Sequence, residues 1–547
     1  MTSITRRDFV KAAALAPVAL THLAGGTAHA DAQQGSRPVA PAEPFDYVFA
    51  GAGHNALVCA AYVAKAGFKV LVLEGRALIG GGAKTAEILL PGFKQDLCSS
   101  NHGGFLNNPA MRNNELPLRD YGYEWTDPEV VMHYPFLDGA SLTVFLKDPE
   151  RTAATIERVS KKDAATFRRL LPLRAKYLAA APADRAKMRE AILFERLGSM
   201  SGYDAGRQVW ESPHMQAAGL AGGHFGAVPG SDPGSGTQAF AMMGQLDGRP
   251  MPKGGSGMLT IALGRLIEAN HGVILTNKGV TRLIVESGKC VGVECADGSR
   301  YRAQKAVVST IHVKHLIDMA PRELWGDEFV DRTELWVPEH SMFAFHFALS
   351  ESPKYAMASG GTTTSAEAAI LQRPESIFGL NADRARGELL ALDDIPLQIV
   401  TPSSADPTRA PAGMATLKIE GTLPYELKGG AKQWDTVKEQ VADKLLTYYM
   451  KLTTNITREK VLAKALFSPL DIERMNPAMW RGSVHAGDRR FNQTMAYRTK
   501  IPGLYLTGGC TGSGGSVSGN PGRGAAAAIL EDAGTSLEVV VNKGRTA

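Results

Sequence analysis

Six residues, Gly51-Ala52-Gly53-His54-Asn55-Ala56, have the types and spacing to wrap a backbone closely around a pyrophosphate. Gly51 would make the tight turn, Gly53 would leave room for phosphate oxygens, and Ala56 would let a helix pack close to its strand. Glu74 stands about 20 residues further on, where a carboxylate accepts from free ribose hydroxyls and would repel a 2′-phosphate. Gly75 and Arg76 follow it, then a second glycine cluster, Gly80-Gly81-Gly82-Ala83. A third cluster lies near the other end, Gly508-Gly509-Cys510 and then Gly512 to Gly519, which includes Ser516 and Val517. Grouped in space, these residues would hold a dinucleotide along exposed backbone N–H groups.

The elements needed to position them are legible around them. Phe45 to Ala50 is an apolar run of strand formers, Leu57 to Ala66 is helical, and Gly67 suits a left-handed helix end. Lys69 to Glu74 reads as a second buried strand. Pro252 to Met258 opens a helix running to Ala269, and Val273 to Thr276 is a strand. Val280–Glu286, Val291–Cys295 and Ser299–Ala303 read as a meander with turns at Ser287-Gly288 and Asp297-Gly298. Ala306 to Thr310 reads as a separate buried strand. Gly503 to Gly509 is a strand entering a turn, followed by an alanine-rich helix from Arg523 to about Glu531; its positive N-terminal end would suit negative charge on a bound ring.

Composition excludes several classes. The charged fraction is 21% and the formal net charge +5 over 547 residues, with no basic stripe interleaved with aromatics, so nucleic acid is not expected as a partner. The five cysteines (Cys59, Cys98, Cys290, Cys295, Cys510) contain no CxxC pair, so neither a disulfide framework, a zinc site nor a redox dithiol is indicated, and no metal is expected.

Thr5-Arg6-Arg7-Asp8-Phe9-Val10-Lys11, an apolar stretch Ala12 to Leu20 and Ala28-His29-Ala30 have the order of a twin-arginine export signal, which predicts a periplasmic protein. Residues 1–30 are thus read as signal and 31–44 as linker. Dinucleotide-binding parts are expected at 45–100, 244–310 and 481–535, giving an α/β Rossmann-like domain with an inserted α+β substrate domain. The insertions are a helix-rich cap at 101–243 and a substrate domain with a sheet at 311–480; 536–547 is read as a tail. Phe167, Leu170, Leu171, Arg174 and Leu178, then Met188, Ile192 and Leu193, have helical spacing, and the apolar residues among them are expected to be core. Met342 to Leu349 is apolar on both faces and predicts a buried strand. Thr416 to Thr422 is another strand, and Val437, Val441, Leu445 and Tyr448 mark an amphipathic helix. His346 is read as a sheet histidine.

These segments resemble the phytoene desaturase and carotenoid ketolase branch of the flavin amine oxidase superfamily, and the pyridine nucleotide-disulphide oxidoreductase domain 2 proteins. Tyr47–Thr85, Pro252–Ser309, Ser468–Glu473 and Gly503–Leu530 carry the likeness, covering under half of the chain. The resemblance implies a glutathione reductase-type fold and a noncovalent FAD. It would be held by Gly51, Ala52, Gly53, His54, Asn55, Glu74, Gly75, Arg76, Gly81, Gly82, Ala83, the backbone of Val280, Gly508, Gly509, Cys510, Ser516 and Val517. In some amine oxidases a Gly-Gly-Cys cysteine is bonded to the flavin, so attachment through Cys510 is the alternative. The expected activity is desaturation or dehydrogenation of a small, mostly apolar organic substrate, with O2, a quinone or a carrier protein taking the electrons; such a substrate is compatible with peripheral membrane contact. The competing readings are oxidation of a small or alicyclic amine, and a flavin-stabilised binding protein without turnover. His102 and His485, in polar glycine-containing stretches, are the candidate bases; for each, a loop histidine bonded to backbone is the plain alternative.

Overall fold

The computed structural model describes residues 44–223, 225, 228–338, 340–488, 494–512 and 516–542. The expected export signal, almost all of the linker, and Gly514-Gly515 of the last glycine turn lie outside the described residues.

Two sheets dominate. The first is built from β1 (Phe45–Ala50), β2 (Val70–Leu73), β3 (Val273–Leu275), β4 (Val280–Glu286), β5 (Lys289–Cys295), β6 (Arg300–Ser309) and β7 (Leu504–Leu506). Its order is β4-β5-β6-β1-β2-β3, with β7 added beside β6. β1 pairs in parallel with β2 and β6, and β6 in parallel with β7, so strands from three distant stretches of sequence share one core. Parallel strands must be covered on both faces, which is why Val48, Phe49 and Ala50 are fully buried. The glycine turn after β1 feeds helix α1 (His54–Lys65), against which α2 (Gly257–Ala269) and α3 (Asn520–Asp532) pack. Gly522 permits the α3–α1 approach, because a Cβ there would sit 2.3 Å from the Asn55 carbonyl oxygen.

The second sheet is formed by β8 (Val130–Pro135), β9 (Ser141–Phe145), β10 (Ser341–Leu349), β11 (Glu367–Ile370), β12 (Leu397–Val400), β13 (Ala415–Leu423) and β14 (Val461–Phe467). Its order is β14-β10-β13-β12-β11-β8-β9. The residues Phe343, Phe345, Phe347 and Leu349 of β10 form one core with the helix Trp434–Met450, while Met342 and Ala344 face the other way, toward Cys98 and Met479.

Several expectations are corrected. The meander's last strand and the separate strand Ala306–Thr310 are one continuous β6, whose first part pairs with β5 and whose remainder pairs with β1 and β7. The cap region is helix-rich, as expected, but it also contributes strands to the second sheet: β8 and β9 form a hairpin turning through Asp138-Gly139 (Gly139 φ +89) beside β11. Leu178 and Ile192 are 47% and 71% exposed; in the helix carrying Ile192, the buried side is Ala191, Phe194 and Leu197. Within the expected tail, Leu537–Asn542 is a helical turn with Val540 buried. No helix among the described residues is long and apolar enough to cross a membrane.

Candidate functional site

The glycine turns converge on one side chain. Thr310, at the end of β6, lies between the turn after β1 and the turn after β7. A Cβ on Gly51 would lie 2.4 Å from Thr310 Cγ2, and one on Gly508 would lie 2.4 Å from Thr310 Oγ1. The two glycines also have φ of +104° and +91°, where a side chain is strained. Gly80 donates its N–H to the Ala52 oxygen at 2.8 Å, and Gly81 crosses so close to Gly53 that a Cβ would meet its Cα at 3.1 Å. Glu74 closes the edge of this cradle: Oε2 accepts from the Ala52 N–H at 3.3 Å and Oε1 from the Arg76 N–H at 3.0 Å.

The cradle opens into a cavity of about 700 Å³. Of the expected cofactor residues, Gly51, Ala52, Gly53, His54, Asn55, Glu74, Gly75, Arg76, Gly81, Gly82, Val280, Gly508, Gly509, Cys510, Ser516 and Val517 line it. Ala83 does not; it is fully buried beneath the loop, donating its N–H to the Gly80 oxygen. The start of α3 also sits off the lining, with Gly519 against Phe105 and the Asn108 side chain donating to the Ser518 oxygen and Asn520 Oδ1. His54 Nε2 shares a hydrogen bond with the Ser516 oxygen at 3.0 Å, and burial lowers its imidazole to about 4, so the ring is neutral. Cys510 is buried and burial pushes its thiol up to about 12, which keeps it a thiol rather than a nucleophilic thiolate.

The two candidate bases separate. His102 is fully buried off the cavity, its Nε2 bonded to Ser256 Oγ at 2.7 Å and its Nδ1 to Tyr123 Oη at 3.0 Å; burial lowers it to about 3. It is a structural knot between the cap and α2, and it cannot reach a substrate. His485 does line the cavity, as do His312 and His315. His312 is committed, bonding the Ala486 oxygen through Nε2 at 2.9 Å and receiving the Lys314 N–H at Nδ1. His346 is buried off the lining, with Nδ1 3.4 Å from Gln95 Oε1 and no partner for Nε2.

Beyond the cradle the cavity is lined by the apolar side chains Phe225, Met342, Met475, Met479 and Val484 and by a charged part of the second sheet, on the same face as Met342. Gln398 lies opposite Glu420 and opposite Ala369, two residues from Glu367, so Glu367, Gln398 and Glu420 share a face. Arg249 Nε donates to Glu367 Oε2, which also accepts from Gln398 Nε2 at 3.2 Å. Lys418 pairs with Glu420 at 2.7 Å and donates to the Cys98 oxygen and to Ser100 Oγ at 3.1 Å, tying the sheet to the loop whose Ser99 N–H bonds the Gly82 oxygen. Burial raises the Glu420 carboxyl. Sequence reasoning missed this face, and also Lys84, a buried cation that lines the cavity near Glu74. The alternation Lys418-Ile419-Glu420 was its only trace, and in a strand that pattern equally describes a side facing water.

The residues present fit a flavin adenine dinucleotide. Asn55 is 3% exposed, lines the cavity and carries an Oδ1 with no partner, and the glycine approaches form a cradle that any Cβ would fill. This arrangement defines an FAD-binding oxidoreductase, and the chain belongs to the flavin containing amine oxidoreductase family, whose pattern matches residues 57–335. Its cofactor is FAD. The chain is 27% identical over 550 residues to pyridine nucleotide-disulfide oxidoreductase domain-containing protein 2 of Rattus norvegicus, covering 89% of this chain and 94% of that protein. It is 27% identical over 552 residues to a limonene dehydrogenase component of Castellaniella defragrans, covering 90% and 95%. Among solved structures, an oxidoreductase from Methanosarcina mazei shares the fold with a TM-score of 0.57 at 17% identity, over 89% of this chain and 99% of that one. The resemblance drawn from the glycine segments thus agrees with family and fold. Among the described residues, no group of three or more His, Cys, Asp or Glu is placed to hold a metal ion.

Proposed function

We propose that this FAD oxidoreductase dehydrogenates a small, mostly apolar molecule at a C–H bond, leaving a carbon–carbon double bond. The observation that carries the reading is continuity: the dinucleotide cradle and the wall of Phe225, Met342, Met475 and Met479 bound one and the same cavity. Bound FAD supplies the two-electron acceptor. The chain's own work is to hold the substrate against that wall, to exclude water with the methionines, and to present His485 as a group that can take or pass a proton. The limonene dehydrogenase relative supports a hydrocarbon-like substrate. Oxygen, a quinone or a carrier protein takes the electrons, and the twin-arginine segment carries the FAD-loaded protein to the periplasm.

A second reading, oxidation of an amine, draws on the family description and on the two buried carboxylates Glu367 and Glu420 beside the cavity. Anaerobic titration of the purified yellow protein with polyenes, cyclic ketones and amines separates the two. Bleaching of the flavin absorbance by a non-amine, with an alkene as product, is the expected result. Bleaching by amines alone would favour the second reading, and a protein isolated without FAD would end both.

A further inference from the structure

The charged sheet face is built to hold something. Glu367 is 1% exposed, lines the cavity, and leaves Oε1 without a partner. A guanidinium has five N–H donors, and the bond Arg249 makes to Glu367 uses only Nε. The orphaned acceptor and the uncommitted donors thus belong to two bonded side chains that both line the cavity.

The charges around them are already matched. Glu367 faces Arg249, Glu420 faces Lys418, and Asp96, just behind, is 2.9 Å from Arg409. A cationic head would add an unmatched positive charge to this buried set, and an ammonium has no lone pair for the Arg249 donors. A bare hydrocarbon would leave Glu367 Oε1 unpaired and dry. A hydroxyl donates once and accepts twice, so it satisfies Oε1 and a guanidinium N–H together.

Resting on the reading of this cavity as the place where FAD and substrate meet, we propose that Glu367 and Arg249, steadied by Gln398 and Glu420, anchor a neutral hydroxyl group on an otherwise apolar substrate. The hydroxyl is the handle, and the bond oxidised lies elsewhere on the molecule. Glu367 and Arg249 are accordingly specificity-determining residues.

The test uses FAD-saturated full-length protein and three ligands with one skeleton: methylcyclohexane, cyclohexylmethanol and cyclohexylmethylammonium. Binding is followed by calorimetry and by perturbation of the flavin absorbance. The alcohol is expected to bind at least about ten-fold tighter than either of the others, as one hydrogen bond to a charged group allows. Glu367→Gln should remove most of that advantage while leaving methylcyclohexane binding and FAD content unchanged. Equal binding of the three, tighter binding of the ammonium, or no binding by a fully yellow protein each overturns the anchor while leaving the FAD assignment intact. A protein that retains no FAD overturns the proposed function as well. If Glu367→Gln fails to fold, the ranking of the three ligands on the unaltered protein decides by itself.

Discussion

Acidification to pH 5.5 should weaken this fold through histidines that have nowhere to put a proton. His102, His133, His312 and His346 are each at most 1% exposed, and burial lowers them to about 3, 3, 4 and 3. In the unfolded chain each has a value near 6.5. The folded values lie below the unfolded ones, so the unfolded state binds protons first as the pH drops. Stability is therefore complete above about pH 6.5 and falls from there toward pH 4. At pH 5.5 each histidine costs about 1.4 kcal/mol, a figure set almost wholly by the unfolded value, so the four together cost about 5.6 kcal/mol. Glu420, raised by burial, has the opposite sign and offsets part of this. With about 2.1 cal/mol/K per residue of unfolding entropy, the loss corresponds to a Tm drop of about 5 °C between pH 7.5 and 5.5. Scanning calorimetry on FAD-saturated protein measures it. His346→Gln, which removes one titrating ring, should recover roughly a quarter of the difference. An unchanged or higher Tm at pH 5.5 would refute the reasoning, because four buried neutral imidazoles cannot be indifferent to that change.

Three further outcomes follow from the site. Glu74→Ala removes the carboxylate at the ribose edge together with its hold on the Ala52 N–H, and should weaken FAD binding about ten- to a hundred-fold in equilibrium dialysis. Gly508→Ala places a Cβ 2.4 Å from Thr310 Oγ1 at φ +91, and the protein should purify with little or no FAD while Gly288→Ala, at an open turn, stays yellow. His102→Ala breaks the links to Ser256 and Tyr123, and should lower stability by about 2–3 kcal/mol, seen as a lower Tm, with the rate of flavin reduction unchanged.

The dinucleotide half was legible because its demands are local. Gly51, Gly53 and Glu74 are fixed by a backbone turn, a close approach and a strand end, each written within a few residues of the others. What surrounds that half is not local. His102 sits in a polar, glycine-containing stretch that says nothing of Tyr123 and Ser256, 21 and 154 residues away, which close around it. Glu367, Gln398 and Glu420 meet only because three strands pair in a particular register. Each alone is an ordinary polar residue in a strand. That the hairpin Val130–Phe145 joins this sheet was hidden for the same reason: its neighbour there, Ala368, lies far along the chain. Ile192 misled in the other direction, since apolar spacing marks a face without saying whether anything covers it.

The parallel pairing of β6 with β7 has a consequence for how the molecule is made. The chain that emerges first completes β1, β2 and β6, but the edge of β6 must wait for Leu504–Leu506. At about 5–20 residues per second, a ribosome leaves that hydrophobic edge bare for on the order of 10–40 s. Newborn chains are therefore at their most vulnerable to strand-to-strand aggregation in this interval, and a chaperone that shields the edge of β6 until termination would raise the yield of holoprotein more than an excess of flavin would.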